Sequence, residues 1–393
     1  MPQPIVQPKS WQPWLVWGLA ALFFFSHYIL RVAPNVLMVK LMAEFQKTAT
    51  TISLLSAFFL IAYVSVQIPI GMLTDRFGSK RMMFVAVSLF ALSTLIFAYS
   101  HQIGSALGAR IFQGVTSAAA FLCAIKLASA WFPPQRLALV IGLTQAFGLL
   151  GGAVGIWPFG NFYDAFGWRF IMLGLFGFYC LLALGIFTFV KNQPGDVTQS
   201  KATLRPSKKD FIHVITSPQT WINGFYAGLM FTHMSVLGEF FGVSFLTQVH
   251  NIPVSFAKIA VFLMFVSWGI GGPLAGMIAD NIGRKKVMII SAAIGLVLVP
   301  IIIYAPLPPF LVFITLFIFG LTNTGLVASY TMAGEMHHQQ SSGLSVSIAN
   351  MMSVLVGAAI IPIVGKLLDL QLAQMVNGQP LYTALMYHKA LFI

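Results

Sequence analysis

The feature that most constrains this chain is a succession of long apolar segments that recurs along the whole sequence. A membrane helix needs about 20 apolar residues. Eleven segments approach or exceed that length: 14–39, 52–73, 82–99, 103–130, 137–159, 168–190, 221–248, 256–279, 287–304, 310–333 and 343–368. A last segment opens near Leu381 and is too short to span. The sequence therefore predicts an all-α membrane protein with an incomplete twelfth helix.

Composition excludes the main classes of soluble protein. Only 8% of the 393 residues are charged and 58% are hydrophobic, whereas a soluble domain carries about 25% charged residues. A soluble enzyme, a nucleic-acid-binding module and a disordered chain are thereby excluded. The net charge of +13 is assigned to basic residues that hold cytoplasmic loops in place. The expected surroundings are a lipid bilayer, and no nucleic acid partner is expected.

The basic residues also predict orientation and domain boundaries. With the N-terminus in the cytoplasm, thirteen of the twenty-two Lys and Arg fall in inner loops, as the positive-inside rule requires. The chain is expected to be a multi-pass protein of the cell inner membrane, without a cleavable signal peptide. Its predicted parts are an N-terminal six-helix bundle at 1–190, a cytoplasmic central loop at 191–217 and a C-terminal bundle at 218–393.

The two cysteines, Cys123 and Cys180, both lie inside apolar segments. Free cysteine is among the most buried residue types, so both are expected to be buried thiols. The sequence predicts no disulfide framework, no metal site and no cofactor.

A short motif occurs twice, in two loops that each join a pair of apolar segments. The first copy runs from Gly71 to Gly78 and the second from Gly276 to Gly283. Both copies read Gly-x-x-x-Asp-x-x-Gly, both lead into basic residues, and they lie 205 residues apart, about half the chain. This spacing predicts a parallel repeat of six helices plus six.

With this motif the chain resembles the major facilitator superfamily, whose most diagnostic loop reads Gly-x-Leu-x-Asp-Arg-x-Gly-x-Lys-Arg. A second feature of that family, Arg-x-x-Gln-Gly, is matched from Arg110 to Gly114. The resemblance covers the whole chain and implies two six-helix bundles around a central cavity. It also implies a gate in the motif loops that helps to hold the outward-open form. The gating residues on this interpretation are Gly71, Asp75, Arg76, Gly78, Lys80 and Arg81, with Asp280 and Arg284 in the weaker second copy.

Four ionisable residues fall inside the predicted spans: Arg31, Arg110, Lys126 and Glu239. Each costs about 2.5–3.5 kcal/mol at the centre of a bilayer on insertion scales, so they are expected to face a bundle interior or an aqueous cavity. Arg110 is carried over from the family as a structural and coupling residue. Lys126, near the inner end of its span, is expected to reach the membrane surface with its charged tip.

Arg31 lies in the middle of a polar stripe in the first span. His27 and Asn35 lie four residues to either side of it, on the same helical face, and Tyr28 lies beside it. The stripe is predicted to line the cavity and bind substrate; the alternative is a structural arginine paired with a carboxylate. A Tyr-x-x-Arg in this helix resembles organic-anion members of the superfamily, and the surrounding stretch loosely resembles amino-acid importers of intracellular bacteria.

Glu239 is the one carboxylate inside the predicted spans. Adding the repeat offset of 205 to Arg31 gives position 236, one helical turn away, so the two residues are predicted to approach each other across the cavity. The alternative is a helix-end residue in contact with solvent. Tyr226, in the same span, is expected to bind substrate. Proton coupling is assigned to Glu239, with His233 and Arg110, although His233 by itself is typical of a satisfied polar side chain.

These features predict a secondary active transporter and not an enzyme. It would move a small anionic or zwitterionic metabolite, an organic acid or amino acid, by alternating access, with proton-coupled uptake and a monomeric chain. Two arrangements of the site stay open: an anion site dominated by Arg31, and a clamp in which Glu239 also receives an ammonium group. The rival functions are a proton-driven exporter of drugs or siderophores and, more remotely, a transporter-like receptor or membrane enzyme.

Overall fold

The computed structural model describes residues 11–193, 208–337, 342–371, 375–376, 379–380 and 382–392. The first half contains α1 Gln12–Phe45, α2 Ala49–Ser65, α3 Gln67–Phe77, α4 Ser79–Ala98, α5 Ile103–Trp131, α6 Pro134–Ile156, α7 Pro158–Phe166 and α8 Trp168–Phe189. The second half contains α9 Lys208–Thr216, α10 Pro218–His233, a π-helix at Met234–Phe241, α11 Gly242–Val249, α12 Val254–Ile282, α13 Arg284–Tyr304, α14 Pro309–Thr322, α15 Thr324–Glu335 and α16 Ser342–Leu370. A short hairpin, β1 Met375–Val376 and β2 Gln379–Pro380, precedes α17 Ala384–Ala390.

The membrane-spanning segments match the eleven apolar segments of the sequence. Ten described helices or helix pairs are long and apolar enough to cross a bilayer, and α2 with α3, bent by 45°, makes eleven. The prediction of an all-α membrane fold is therefore confirmed. The departures are local: α9 lies within the predicted central loop, whose residues 194–207 are outside the described residues, and α17 is a single short helix.

The half-chain repeat is visible in the backbone. Shifting α2 and α3 together by 205 residues reproduces the bounds of α12, from Val254 to Ile282. The motif glycines Gly78 and Gly283 both end these segments with positive φ, 82° and 92°, a conformation that costs glycine little. The two described non-glycine residues with positive φ, Gln46 and Asn251, also lie 205 residues apart and share a φ of 52°. The two halves therefore have the same local geometry at these turns.

These turns define the two ends of the bundle. We call the end that carries Gly78 and Gly283 the motif end, and the end that carries Gln46 and Asn251 the far end. The halves meet where α2 packs on α16, α6 on α12 and α1 on the π-helix. Of the two cysteines, Cys123 is buried as expected, but Cys180 is exposed on α8. Because a bilayer covers such a face, exposure there is compatible with an apolar helix.

Candidate substrate-binding cavity

A central cavity of about 760 Å³ lies between the two halves. Leu139, five residues after the start of α6, lines the cavity and is 59% exposed, so the cavity reaches towards the motif end. Its volume is within the usual range of small-molecule sites, about 300–1,000 Å³. The polar side chains that line it come from both halves: Tyr28, Arg31, Tyr63, Gln145, Tyr330, Asn350 and Ser353.

Arg31 and Glu239 form a buried ion pair between the two halves. Arg31 Nη2 lies 2.7 Å from Glu239 Oε1, and the side chains are 3% and 2% exposed. Glu239 is therefore not in contact with solvent at a helix end. Arg31 lines the cavity, and within the described residues its Nε and the Glu239 Oε2 atom have no hydrogen-bond partner. The pair thus keeps unused hydrogen-bonding capacity, with Arg31 in the cavity lining and Glu239 buried beside it.

Aromatic rings from both halves surround the guanidinium of Arg31. Its Cζ atom lies 5.0 Å from the ring centroid of Tyr28, 5.9 Å from that of Tyr63 and 5.8 Å from that of Phe231. Ring faces attract a cation at such distances and exclude water from it. A low local dielectric strengthens the attraction of the arginine for any anion that enters.

Arg110 lies directly behind this pair and holds the backbone that carries it. Its guanidinium donates to the carbonyl oxygens of Leu55 at 3.0 Å, Leu30 at 2.9 Å and Arg31 at 3.3 Å, and to the Gln113 side chain at 3.0 Å. Arg110 therefore ties α1 and α2 to α5 at the level of Arg31. This geometry supports the structural part of its predicted role, because the guanidinium donates most of its hydrogen bonds to backbone carbonyl oxygens.

Asn35 supports Glu239 instead of lining the cavity. Its amide nitrogen donates to the carbonyl oxygens of Leu237 at 3.0 Å and Gly238 at 2.6 Å, and its Oδ1 accepts from the backbone N–H of Val243 at 3.0 Å. A π-helix leaves backbone groups out of the usual i to i+4 ladder, and such segments occur often at functional sites. The single Asn35 side chain satisfies two carbonyl groups of the π-helix and the N–H of Val243 in α11, on either side of Glu239.

We expect Asn35→Ala to lower the free energy of unfolding by about 3 kcal/mol, because it leaves buried backbone groups unpaired. Thermal unfolding of the purified protein in detergent measures the loss. Asn281→Ala is the matched control, since that exposed amide donates to Met277 within its own helix. Equal melting temperatures for the two variants would contradict the role given to Asn35.

Three other predicted site residues are placed away from the cavity wall. Tyr226 donates to the Met288 carbonyl at 2.8 Å; five residues from the cavity-lining Phe231, it points to a different side of α10. His27 is fully buried, and its Nδ1 lies 2.6 Å from the carbonyl oxygen of Phe24 in the preceding turn. His233 is turned to α14, with its Nε2 3.1 Å from the Asn323 amide. The prediction that Tyr226, His27 and Asn35 line the cavity is therefore corrected.

Several lining residues were not singled out from the sequence. Gln145 and Asn350 lie 205 residues apart, as do Tyr63 and Trp268, and all four line the cavity. The repeat offset applied to polar and aromatic positions would have found them. Asn350 also donates to Gln67 across the halves at 3.2 Å.

The hydroxyl of Tyr330 lies 2.9 Å from Ser353 Oγ and 3.3 Å from Asn350 Oδ1. This wall of the cavity therefore offers neutral donors and acceptors.

The predicted gating residues lie at the motif end. The side chains of Asp75 and Asp280 are outside the described part of the structure. Arg284 forms an ion pair with Glu335, with Nη2 to Oε1 at 2.7 Å. Among the other predicted gating residues, Arg76 and Arg81 are exposed.

In the first copy, the contacts of the described residues named here stay within its own half. The Lys80 backbone N–H donates to Asn192 Oδ1 at 2.8 Å, and Lys126 Nζ donates to the Gly71 carbonyl at 3.0 Å. Lys126 thus reaches the motif loop from within its helix.

Comparison with known proteins gives relatives that are named as transporters. The chain is 24% identical over 265 residues to a hexuronate transporter of Bacillus subtilis, which covers 66% of this chain and 62% of the relative. It is 22% identical over 293 residues to a probable sulfoacetate transporter of Cupriavidus necator, covering 69% of this chain and 66% of the relative. The chain thus spans less than two thirds of the length of these two relatives.

Solved structures agree with the fold. A crystal structure of a bacterial homologue of the human lysosomal transporter Spinster, in an inward-facing and unoccupied conformation, has a TM-score of 0.79 at 19% identity, with 93% of this chain and 84% of that chain covered. A D-xylose–proton symporter has a TM-score of 0.73 at 14% identity, with 97% and 95% covered.

The family itself follows from a direct match to a family model. The model described as Major Facilitator Superfamily matches residues 17–362, which includes every lining residue of the cavity and both members of the buried ion pair. The two-bundle fold and the half-chain repeat agree with that match, and the resemblance seen in the motif loops is confirmed. The chain belongs to the Major Facilitator Superfamily.

Proposed function

We propose that the chain is a secondary active transporter that carries a small organic anion through the central cavity by alternating access. The observation that carries the proposal is the buried Arg31–Glu239 pair, which joins the two halves and whose arginine lines the cavity. A guanidinium is the side chain best suited to bind a carboxylate through two parallel hydrogen bonds. Among the described residues that line the cavity, Arg31 is the one that carries a charge, so an anion that enters has this guanidinium as its charged partner.

The names of several relatives support an anionic substrate. They include the hexuronate and sulfoacetate transporters, a probable L-galactonate transporter of Escherichia coli and two probable anion transporters of Arabidopsis thaliana. The neutral donors and acceptors of Gln145, Tyr330, Asn350 and Ser353 suit the hydroxyl groups of such a molecule. We therefore propose a hydroxylated carboxylate as the substrate class.

The geometry suggests how binding drives the conformational change. In the empty cavity the positive charge of Arg31 is neutralised by Glu239 from the other half, which holds α1 against the π-helix. A substrate carboxylate takes over the guanidinium and releases Glu239. The buried carboxylate of Glu239 is then left without its partner. Because burial disfavours an unpaired charge, Glu239 binds a proton. One substrate anion and one proton thus become linked at the same pair.

Orientation and location belong to the same proposal. With the N-terminus of α1 in the cytoplasm, the motif end faces the cytoplasm and the cavity reaches towards that side. A monomer in a bacterial inner membrane contains everything the mechanism needs, because both halves of the site come from one chain.

The coupling predicts a definite response to pH. In proteoliposomes with an acidic exterior, uptake of a hexuronate should exceed uptake at equal internal and external pH, and a protonophore should abolish the difference. Uptake should increase because an acidic exterior favours protonation of Glu239 from the outer side, and the proton then moves inward with the substrate. Uptake that ignores the protonophore and depends on a sodium gradient would overturn proton coupling while leaving the anion site in place.

A further inference from the structure

The Gly-x-x-x-Asp pattern of the motif loops occurs a third and a fourth time, at the far end of the bundle. Gly160 precedes Asp164 at the end of α7, and Gly365 precedes Asp369 at the end of α16. These two copies are also 205 residues apart. The third copy continues to Gly167, whose φ of 81° matches the 82° of the motif glycine Gly78. The third copy therefore repeats the local geometry of the first motif loop.

Asp164 connects the first half to the start of α12 in the second half. Its carboxylate contacts Lys258 Nζ through Oδ2 and Lys40 Nζ, 2.7 Å away, through Oδ1. Lys258 is buried, with a side chain only 2% exposed. Its ammonium also donates to the Gly160 carbonyl at 2.9 Å and to Asn161 Oδ1 at 3.3 Å. The second half thus inserts a lysine into a pocket formed by the third copy.

Asp369 makes the equivalent contact from the second half to the first half. Its Oδ2 accepts the backbone N–H of Thr50, at the start of α2 in the first half, at 2.9 Å. Its Oδ1 accepts the hydroxyl of Tyr382, which in turn accepts the backbone N–H of Ala49 at 2.9 Å. A carboxylate at a helix N-terminus is stabilised by the unpaired amides there.

The glycines at the two contacts have partners that are related by the repeat. Lys258, which packs on Gly160, lies 205 residues after Ser53, which packs on Gly365. A Cβ atom on Gly160 would lie 3.1 Å from Lys258 Cδ, and one on Gly365 would lie 2.9 Å from Ser53 Oγ. The glycines therefore let a helix of the opposite half, α12 or α2, approach closely, and the aspartates bind the N-terminal end of that helix.

We propose that these contacts are two symmetric latches, Asp164 with Lys258 and Asp369 with Thr50, that hold the far end closed. Each latch joins the C-terminal end of a helix in one half to the N-terminal end of a helix in the other. Both must separate before the far end can open, so together they set the balance between the two open states. The proposal concerns closure of the far end and is independent of which substrate the cavity binds.

The test is a distance measurement between spin labels on the purified chain in detergent, without substrate. After replacement of Cys123 and Cys180 by alanine, one label pair is placed at exposed far-end positions, Lys47 and Ser255. A second pair is placed at exposed motif-end positions, Arg136 and Asn281. Each of Asp164→Asn and Asp369→Asn should raise the ratio of far-end-open to far-end-closed molecules by roughly fivefold, and the double variant by more. The motif-end distances should shorten in the same samples.

Glu44→Gln is the matched control. Glu44 lies at the same end and pairs with Arg169 and Trp168, but all three belong to the first half. It should leave both distance distributions unchanged. Should Asp164→Asn fail to fold because Lys258 is left buried, Asp369→Asn tests the proposal alone, since it leaves no unpaired charge. Far-end distances that stay closed in folded Asp369→Asn, or that open equally in Glu44→Gln, would overturn the latches.

Discussion

Replacing Arg31 by lysine should reduce transport of a carboxylate substrate by about a hundredfold. Lysine keeps the positive charge beside Glu239, so the ion pair and the fold should survive. It cannot keep the planar fork that binds both oxygens of a carboxylate, and hydrogen bonds to charged groups contribute about 1.5–3 kcal/mol each. Initial uptake rates in proteoliposomes, normalised to the amount of reconstituted protein, measure the loss.

The control for Arg31→Lys is Arg169→Lys. Arg169 binds Glu44 and the carbonyl oxygens of Ala98 and Ser100 at the far end and does not line the cavity. The same chemical change there should leave the uptake rate within about twofold of the wild type, as expected for a partly exposed ion pair. If Arg31→Lys transports as well as Arg169→Lys, the guanidinium does not bind the substrate carboxylate.

Glu239→Gln should destabilise the empty protein and remove proton-driven accumulation. Breaking a buried ion pair by neutralising one partner leaves the other charge uncompensated and costs about 3–5 kcal/mol. An anion bound to Arg31 compensates that charge, so substrate should raise the melting temperature of the variant more than that of the wild type. Exchange of labelled for unlabelled substrate should continue, because exchange needs no net proton movement, whereas uphill uptake should be lost.

The same variant decides between the two arrangements of the site. In the anion site, Glu239→Gln weakens an amino acid and its deaminated analogue equally or strengthens both. In the zwitterion clamp, it weakens the amino acid much more, because the ammonium group loses its carboxylate. The 2.7 Å contact between Arg31 and Glu239 puts the two charges close enough to receive the two ends of an amino acid. Measured affinities of the ligand pair for both proteins separate the alternatives.

The spans and the repeat could be predicted because they depend on patterns that are local or periodic. Apolar length fixes the spanning helices, and the 205-residue offset relates Arg31 to the region of Glu239 without any structure. The offset predicts 236, whereas the residue that meets Arg31 is Glu239. Both positions lie in the π-helix, Met234–Phe241, whose wider turn hydropathy does not reveal.

The roles of individual polar residues were harder to predict, because they depend on which backbone groups lack a partner. Asn35 shares a helical face with Arg31, yet its amide nitrogen donates hydrogen bonds to carbonyl groups of the π-helix. Gly242 fits there because a Cβ atom would lie 2.0 Å from the Leu237 carbonyl oxygen. Tyr226 was assigned by type alone, and its rotation around α10 turns it to α13 instead. Such assignments require the packing of neighbouring helices.

The most direct test of the proposed anion site compares two ligands that differ in one group. A hexuronate and the corresponding aldose have the same ring hydroxyl groups, but only the hexuronate carries a carboxylate. Calorimetric titration of the purified protein should show binding of the hexuronate, no measurable binding of the aldose, and loss of hexuronate binding in Arg31→Gln. Equal affinities of the wild type for both ligands, or undiminished hexuronate binding by Arg31→Gln, would contradict the proposal that Arg31 binds the substrate carboxylate.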